Sequence, residues 1–240
     1  MKKIILITGA ARGIGKGILE ELVKDKNNII IANYNKSEKE ALELKEKYGE
    51  SIELYKADVG NRAEVKKMKD FVINKHKKID VIINNAGISQ IKMFNDITEE
   101  DWNRMLQINL TSAYYIIQEF LSNMINEKNG CIINISSIWG ITGGACEVHY
   151  SAAKAGLIGM SKALAKELGP SNIRVNVIAP GDIDTDMNKE LSKEDIEMIK
   201  EETPLARIGK PLDIARCVKW LIEDEFTTGQ VISPNGGWVI

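Results

Sequence analysis

Short runs of isoleucine and valine recur at 4–7, 29–32, 52–55, 81–83, 131–135, 173–178 and 230–232, separated by longer stretches with helical spacing of apolar and charged residues. Apolar runs of this length predict strands buried on both faces, and their alternation with helices predicts a parallel sheet. Between the first two runs, Ile18 with Leu22 and Leu19 with Val23 are spaced four apart, and Val65, Met68 and Val72 repeat the pattern within 62–75. Longer helical patterns cover 98–126 and 150–168. The expected fold is α/β: a single doubly wound Rossmann-type domain over 1–240, with a seven-stranded parallel sheet and helices on both faces. Right-handed crossovers with one reversal of strand order place the ligand crevice at the carboxyl ends of the strands, near the first. No repeat, low-complexity tract or linker interrupts this pattern. The stretch 182–202 is charged and poor in apolar residues, so the region near 182–206 reads either as a substrate-covering loop or as a solvated helical insert.

Composition narrows the partners. The hydrophobic fraction is 44% and the charged fraction 28%, enough for a packed core, and the net charge of −2 is spread along the chain. Nothing in that distribution attracts nucleic acid or an anionic membrane. Cys131, Cys146 and Cys217 are odd in number, far apart and outside metal-ligand spacing, which predicts reduced thiols and a cytoplasmic location. The apolar run after Met1-Lys2-Lys3 is too short for a signal peptide or a membrane span, so the protein is expected to begin at Met1.

Candidate chemistry begins directly after the first strand, where Thr8-Gly9-Ala10-Ala11-Arg12-Gly13-Ile14-Gly15 leads into a helix. Glycines there let the backbone turn sharply and approach a pyrophosphate at the helix N-terminus. The spacing is Gly-x-x-x-Gly-x-Gly, not the usual Gly-x-Gly-x-x-Gly. At the end of the second strand, Asn33 stands where an acid would hold an unphosphorylated ribose. With Arg12 and Lys36 nearby and Asn33 as a hydrogen-bond donor, the expected cofactor is NADP(H), and Asn33→Asp is expected to shift preference toward NAD(H).

Tyr150 and Lys154 are four residues apart and share one helix face. Lowering a tyrosine from about 10 to near neutrality takes about 4 kcal/mol, and a cation about 4 Å away at an effective dielectric of about 20 supplies roughly that before desolvation costs are subtracted, with the positive charge of the oxidised nicotinamide adding to it. Ser137 follows the fifth apolar run, Asn84-Asn85-Ala86-Gly87 follows the fourth, and Asn109 lies within the pattern at 98–126.

With these motifs in order, the sequence resembles the short-chain dehydrogenase/reductase family from Ile4 almost to the C-terminus. The resemblance implies a catalytic set of Asn109, Ser137, Tyr150 and Lys154. Tyr150 would exchange a proton with the ketone oxygen as hydride passes to or from the nicotinamide, with Ser137 on the same oxygen. Lys154 would hold the nicotinamide ribose and lower the tyrosine pKa, and Asn109 would support a water relay. The implied cofactor contacts are Gly9, Arg12, Gly13, Ile14, Gly15, Asn33, Asp58, Val59, Asn85, Ala86, Gly87, Tyr150, Lys154, Pro180, Gly181, Ile183 and Thr185. Asp58-Val59 corresponds to the adenine pair, and Pro180-Gly181 opens the nicotinamide-contacting segment.

Within the family, Ser151 to Gly159 and Val177 to Gly181 resemble most closely the 3-oxoacyl-(acyl-carrier-protein) reductases of fatty-acid synthesis. Lys128 stands where one carrier-docking cation is expected, whereas Ser171 replaces a second, and the tail through Asn235-Gly236-Gly237 departs from the commoner Asp-Gly-Gly ending. The resemblance also implies pairing of the helices at 98–126 and 150–168 across subunits, giving a homo-oligomer with a tetramer favoured.

Other polar residues are weighed against this site. His149 is rotated about 100° from Tyr150 and reads as substrate-lining or structural. Ser136 should point away from Ser137 by strand alternation. Asp182, Asp184 and Asp186 alternate like a calcium loop, but Met187 and Lys193 occupy the required glycine and glutamate positions, so no metal is expected. The leading expectation is reduction of a 3-oxoacyl thioester. A sugar, polyol, steroid-like or small ketone is the alternative substrate, and a non-catalytic nucleotide-binding regulator is the rival from another class.

Overall fold

The computed structural model describes residues 2–188 and 191–240; Met1, with the expected start of the chain, and residues 189–190 of the region 182–206 lie outside the described residues. Each apolar run forms a strand: β1 (Lys3–Ile7), β2 (Asn28–Tyr34), β3 (Ile52–Lys56), β4 (Val81–Asn84), β5 (Gly130–Ile135), β6 (Ile173–Ile178) and β7 (Val231–Ile232). All adjacent pairs are parallel, in the order β3-β2-β1-β4-β5-β6-β7. The order reverses between β1 and β4, where Ile5 pairs with Ile30 on one side and Val81 on the other.

Alternation along β1 explains the two cores. Ile5 and Ile7 join α1 (Gly13–Leu22), α2 (Glu38–Tyr48) and α8 (Pro211–Glu223), with Ile18, Leu44 and Ile214 in that layer. Ile4 and Leu6 face the opposite layer of α3 (Arg62–His76), α5 (Ser112–Glu127) and α6 (Val148–Leu168), with Val65, Phe120 and Leu168. A polar line crosses that second layer: Asn84 Nδ2 donates to Asn134 Oδ1 at 2.8 Å, Asn134 Nδ2 donates to Ser161 Oγ at 2.8 Å, and Ser161 Oγ donates to the Leu157 carbonyl. The line ties β4 and β5 to α6, and it leaves one buried acceptor, Asn84 Oδ1, without a hydrogen-bond partner among the described residues.

The pattern at 98–126 is not one continuous α-helix. It divides into α4 (Glu99–Leu106) and α5, joined by a π-helical turn over Gln107–Thr111 that contains Asn109. A wider turn frees backbone groups from the usual ladder and recurs at functional sites. The stretch 182–202 contains a helix, α7 (Lys193–Glu202). The Ser192 hydroxyl and Asp195 carboxylate cap one another's backbone N–H groups there, a start signal present as Ser-x-x-Asp in the sequence.

Candidate active site

Gly9 and Gly13 have φ of +63° and +53°, the left-handed region that glycine enters without strain. Gly15 is required for space: a Cβ there would stand 2.3 Å from the Gly9 carbonyl oxygen and 2.5 Å from Asn85 Nδ2. Thr8 ties this loop to the segment after β4, accepting the N–H groups of Asn85 and Ala86, each at 3.0 Å, on its hydroxyl. Asn85 Nδ2 donates back to the carbonyls of Thr8 and Gly9. The first turn of α1 carries no acidic residue and no side-chain cap, and Ile14 packs behind it against the core. This is a rigid cradle of backbone donors suited to a pyrophosphate.

The end of β2 corrects one expectation. Asn33 is buried at 2% exposure, and its amide is committed inward. Its Nδ2 group faces the carbonyls of Ala57 at 3.1 Å, Tyr55 at 3.3 Å and Tyr34 at 3.5 Å, while its Oδ1 accepts from Gly9 N at 3.4 Å. It cannot also present those donors to a phosphate, so its work is to hold β2, the glycine loop and the start of the Asp58 turn together. Arg12 and Lys36 are exposed, and Arg12 lies 3.4 Å from Asp186. Asn33→Asp would place a carboxylate oxygen against three carbonyls, so it should lower stability by about 3 kcal/mol without improving NAD(H) use. Thermal unfolding together with the NADH to NADPH activity ratio checks this; a stable protein that prefers NADH would contradict it.

The four expected catalytic residues converge from separate elements. Ser137 follows β5 in an extended conformation; its Oγ accepts Trp139 N at 3.1 Å, leaving its O–H to donate, and its hydroxyl acts to lower the pKa of the Tyr150 phenol. Tyr150 and Lys154 lie on α6, with Nζ 5.5 Å from the ring centroid and donating to the Ile135 carbonyl at 2.9 Å. Asn109 Oδ1 accepts Ile88 N at 3.2 Å, and its Nδ2 donates to the carbonyls of Ile88 at 2.9 Å and Met105 at 3.1 Å. Gly87 is the pivot between them: a Cβ there would fall 2.7 Å from Asn109 Oδ1 and 3.5 Å from Lys154 Nζ. Ser136 points away as alternation requires, donating to the Lys154 carbonyl at 3.0 Å.

A second correction concerns charge. Burial pushes the Tyr150 phenol above its ordinary value; the Ser137 hydrogen bond opposes this and the Glu147 carboxyl adds to it. Burial also lowers the Lys154 ammonium to about 8. The protein's own groups therefore keep the phenol protonated, because desolvation outweighs the Ser137 interaction that opposes it.

Beyond the tetrad, Asp58 Oδ1 accepts Gly60 N at 2.8 Å and Val59 is buried in the second core. The segment after β6 folds over the glycine loop: the methyl of Thr185 would lie 3.4 Å from a Cβ on Gly13, and buried Ile183 bridges Gly209. Pro180 accepts Ile138 N at 3.0 Å through its carbonyl, and Gly181 packs against Asn235 too closely for any side chain. A cavity of about 690 Å³ adjoins Asp58, Gly60 and Gln107, and another of about 650 Å³ adjoins Arg12, Gly13 and Thr185; neither is lined by Tyr150.

His149 is structural. It is fully buried, with Nε2 2.9 Å from Gln90 Oε1, and burial lowers its pKa, so the ring is neutral. Sequence reasoning missed Thr8 as the knot of the cradle, and Glu147, whose carboxyl helps to raise the phenol. The Thr8 signal was present in the Thr-Gly start of the loop, whereas Glu147 has no motif.

Known proteins resemble this arrangement over nearly the whole chain. The 3-oxoacyl-[acyl-carrier-protein] reductase FabG of Aquifex aeolicus (strain VF5) is 39% identical over 239 residues, 98% of this chain and 96% of that protein. FabG of Thermotoga maritima is 39% identical over 242 residues, 99% of this chain and 98% of its own. The solved structure described as ElxO with NADP bound superposes with a TM-score of 0.92 at 32% identity, covering 99% of each chain. The family model described as short chain dehydrogenase matches residues 3–196, the span that holds the glycine cradle and all four converging side chains, and the chain belongs to that family.

Proposed function

We propose that the protein is an NADP(H)-dependent oxidoreductase that reduces the ketone of a 3-oxoacyl thioester to a secondary alcohol. The observation that carries the reading is the meeting of Ser137, Tyr150, Lys154 and Asn109 around Gly87, beside a glycine cradle that side chains at Gly9, Gly13 or Gly15 would strain or fill. The cradle fits a dinucleotide: backbone N–H groups from Gly13 to Gly15 would hold the pyrophosphate, and Arg12 with Lys36 the 2′-phosphate. Asp58 and Val59 would border the adenine, Asn85 to Gly87 and Lys154 the nicotinamide ribose, and Pro180, Gly181, Ile183 and Thr185 the nicotinamide. When bound, NADPH supplies the hydride for the ketone carbon, and in its oxidised form a positive charge near the phenol.

The chain's own residues handle the oxygen. As hydride adds to the carbonyl carbon, the C=O π pair moves onto oxygen and takes the proton of Tyr150. The Ser137 hydroxyl donates to the same oxygen where negative charge develops. Lys154 holds a positive charge behind the resulting phenolate, and the Asn109 turn leads from Lys154 toward the backbone at Ile88, the start of a reprotonation path. A phenol kept protonated by burial suits the reductive direction.

The whole chain acts as one domain in this reading, with the region 182–206 covering the substrate. Exposed Tyr114 and Ile125 on α5 support pairing of that helix in a homo-oligomer, with a tetramer favoured. Exposed Lys128 at the end of α5 would meet an acidic carrier protein. Three free thiols fit the cytoplasm, and among the described residues no helix is long and apolar enough to cross a membrane. The test is the rate of NADPH and of NADH oxidation with a 3-oxobutanoyl thioester and with keto sugars. Preference for NADPH and the thioester, each by tenfold or more, is expected; equal use of both cofactors, or activity confined to the sugars, would overturn the corresponding half.

A further inference from the structure

His149 is a poor filler for a sealed position. It is fully buried one residue before Tyr150, and its Nδ1 has no hydrogen-bond partner among the described residues. An unmatched buried acceptor lowers stability, and an apolar side chain of similar size would avoid that cost. The reason for an imidazole here lies with its other nitrogen.

That nitrogen ends a chain of bonds whose directions are all fixed. Asp101, in the first turn of α4, accepts on its carboxylate from Lys92 Nζ at 2.6 Å, Thr98 Oγ at 2.8 Å, Thr98 N at 3.1 Å and Gln90 Nε2 at 3.1 Å. A carboxylate so held only accepts, so Gln90 turns its NH₂ group to Asp101 and its Oε1 to His149. Because Oε1 also only accepts, the ring proton sits on Nε2, which donates to it at 2.9 Å, and Nδ1 is the bare nitrogen.

The chain joins two segments that the reaction needs in register. Ile88, directly after the Asn85–Gly87 segment assigned to the nicotinamide ribose, is clamped by Asn109 through both its N–H and its carbonyl. Two residues further on, Gln90 takes the bond from His149, and Lys92 N donates to the Cys146 carbonyl at 2.7 Å. Facing this segment, α6 starts without a side-chain cap, since Glu147 makes none. Ser151 Oγ accepts Gly144 N at 3.0 Å, which ties the first turn only to the loop before it. His149 ties the same turn to the cofactor side.

Resting on the carbonyl-reducing reading, we propose that His149 is a positioning residue: through Gln90 and Asp101 it sets where Tyr150 stands relative to the ribose segment, and so the reach from the phenol to the ketone oxygen. Misplacing a reacting group by about 1 Å costs up to about a hundredfold in rate while leaving the cofactor bound.

The test uses the full chain and three variants. His149→Leu removes the bond, Gln90→Met removes it from the other side, and His149→Gln keeps a donor as far along the side chain as Nε2. With NADPH and a 3-oxobutanoyl thioester, kcat is expected to fall about tenfold in each disrupting variant and no further in the two combined. His149→Gln should return it to within about threefold of wild type, with NADPH affinity and Tm little changed throughout. A histidine that only fills space would instead lower Tm, leave kcat of the folded enzyme unchanged and gain nothing from glutamine. Independently of turnover, the Tyr150 Cζ resonance of the NADP⁺ complex carrying [ζ-¹³C]tyrosine, assigned by its loss in Tyr150→Phe, is expected to shift in both disrupting variants and to recover in His149→Gln. A resonance unmoved in both, a kcat unchanged in both when the wild type is active, or a glutamine variant no better than leucine overturns the proposal. A resonance that responds as expected in a wild type that reduces no ketone would count against the carbonyl-reducing reading and leave the positioning standing.

Discussion

Tyr150→Phe should reduce turnover of the ketone by about a thousandfold or more, within the range that a positioned proton donor contributes. NADPH affinity should change by less than about threefold. The phenol is 8% exposed and its ring packs against the Lys154 side chain, so phenylalanine fills the same space and loses only the hydroxyl and its bond to Ser137. Loss of that one hydrogen bond costs about 1 kcal/mol of stability, too little to unfold the domain. Steady-state rates combined with fluorescence titration of NADPH separate the two effects. Retained turnover would remove Tyr150 from the proton-transfer role, and lost NADPH binding would make it a structural residue.

Lys154→Met should abolish turnover and yet stabilise the fold. Lys154 is 4% exposed, and burial alone lowers it from an ordinary value of 10.5 to about 8. The folded chain therefore binds this proton less tightly than the unfolded chain. The resulting penalty on stability is fully present below pH 8 and fades as pH rises toward 10.5, where both states release the proton. A shift of that size corresponds to about 3 kcal/mol, of which about 1 is returned by the bond from Nζ to the Ile135 carbonyl. The variant should gain about 2 kcal/mol near neutral pH, raising Tm by roughly 4–8 °C, and the gain should vanish near pH 10.5. Thermal unfolding at pH 7 and pH 10 checks both parts. A loss of stability at neutral pH would show that the ammonium is better solvated in the protein than its burial implies.

Much of the fold was legible because parallel strands covered on both faces read as unbroken apolar runs, and all seven candidate runs are strands. The tetrad was legible because its members hold fixed places relative to those strands: Ser137 after β5, Tyr150 and Lys154 one turn apart on α6. What escaped depended on side-chain direction and on local departures from regular structure. The π-turn around Asn109 adds one residue to a pattern whose apolar spacing still reads as a helix. Asn33 occupies the position of a cofactor-reading residue, but only the placement of three carbonyls around its amide shows that it faces inward. Spacing places Lys154 near Tyr150, whereas burial, which decides the sign of both shifts, is a property of the assembled core.

Hydride is expected to pass from NADPH to a ketone carbon while Tyr150 protonates its oxygen. The most direct measurement is the mass of the product formed from a 3-oxobutanoyl thioester with NADPH carrying deuterium at the transferring C4 position. A 3-hydroxybutanoyl thioester one mass unit heavier, with deuterium on C3, is the predicted result; a product without the label, or consumption of the cofactor with no alcohol formed, would contradict the account.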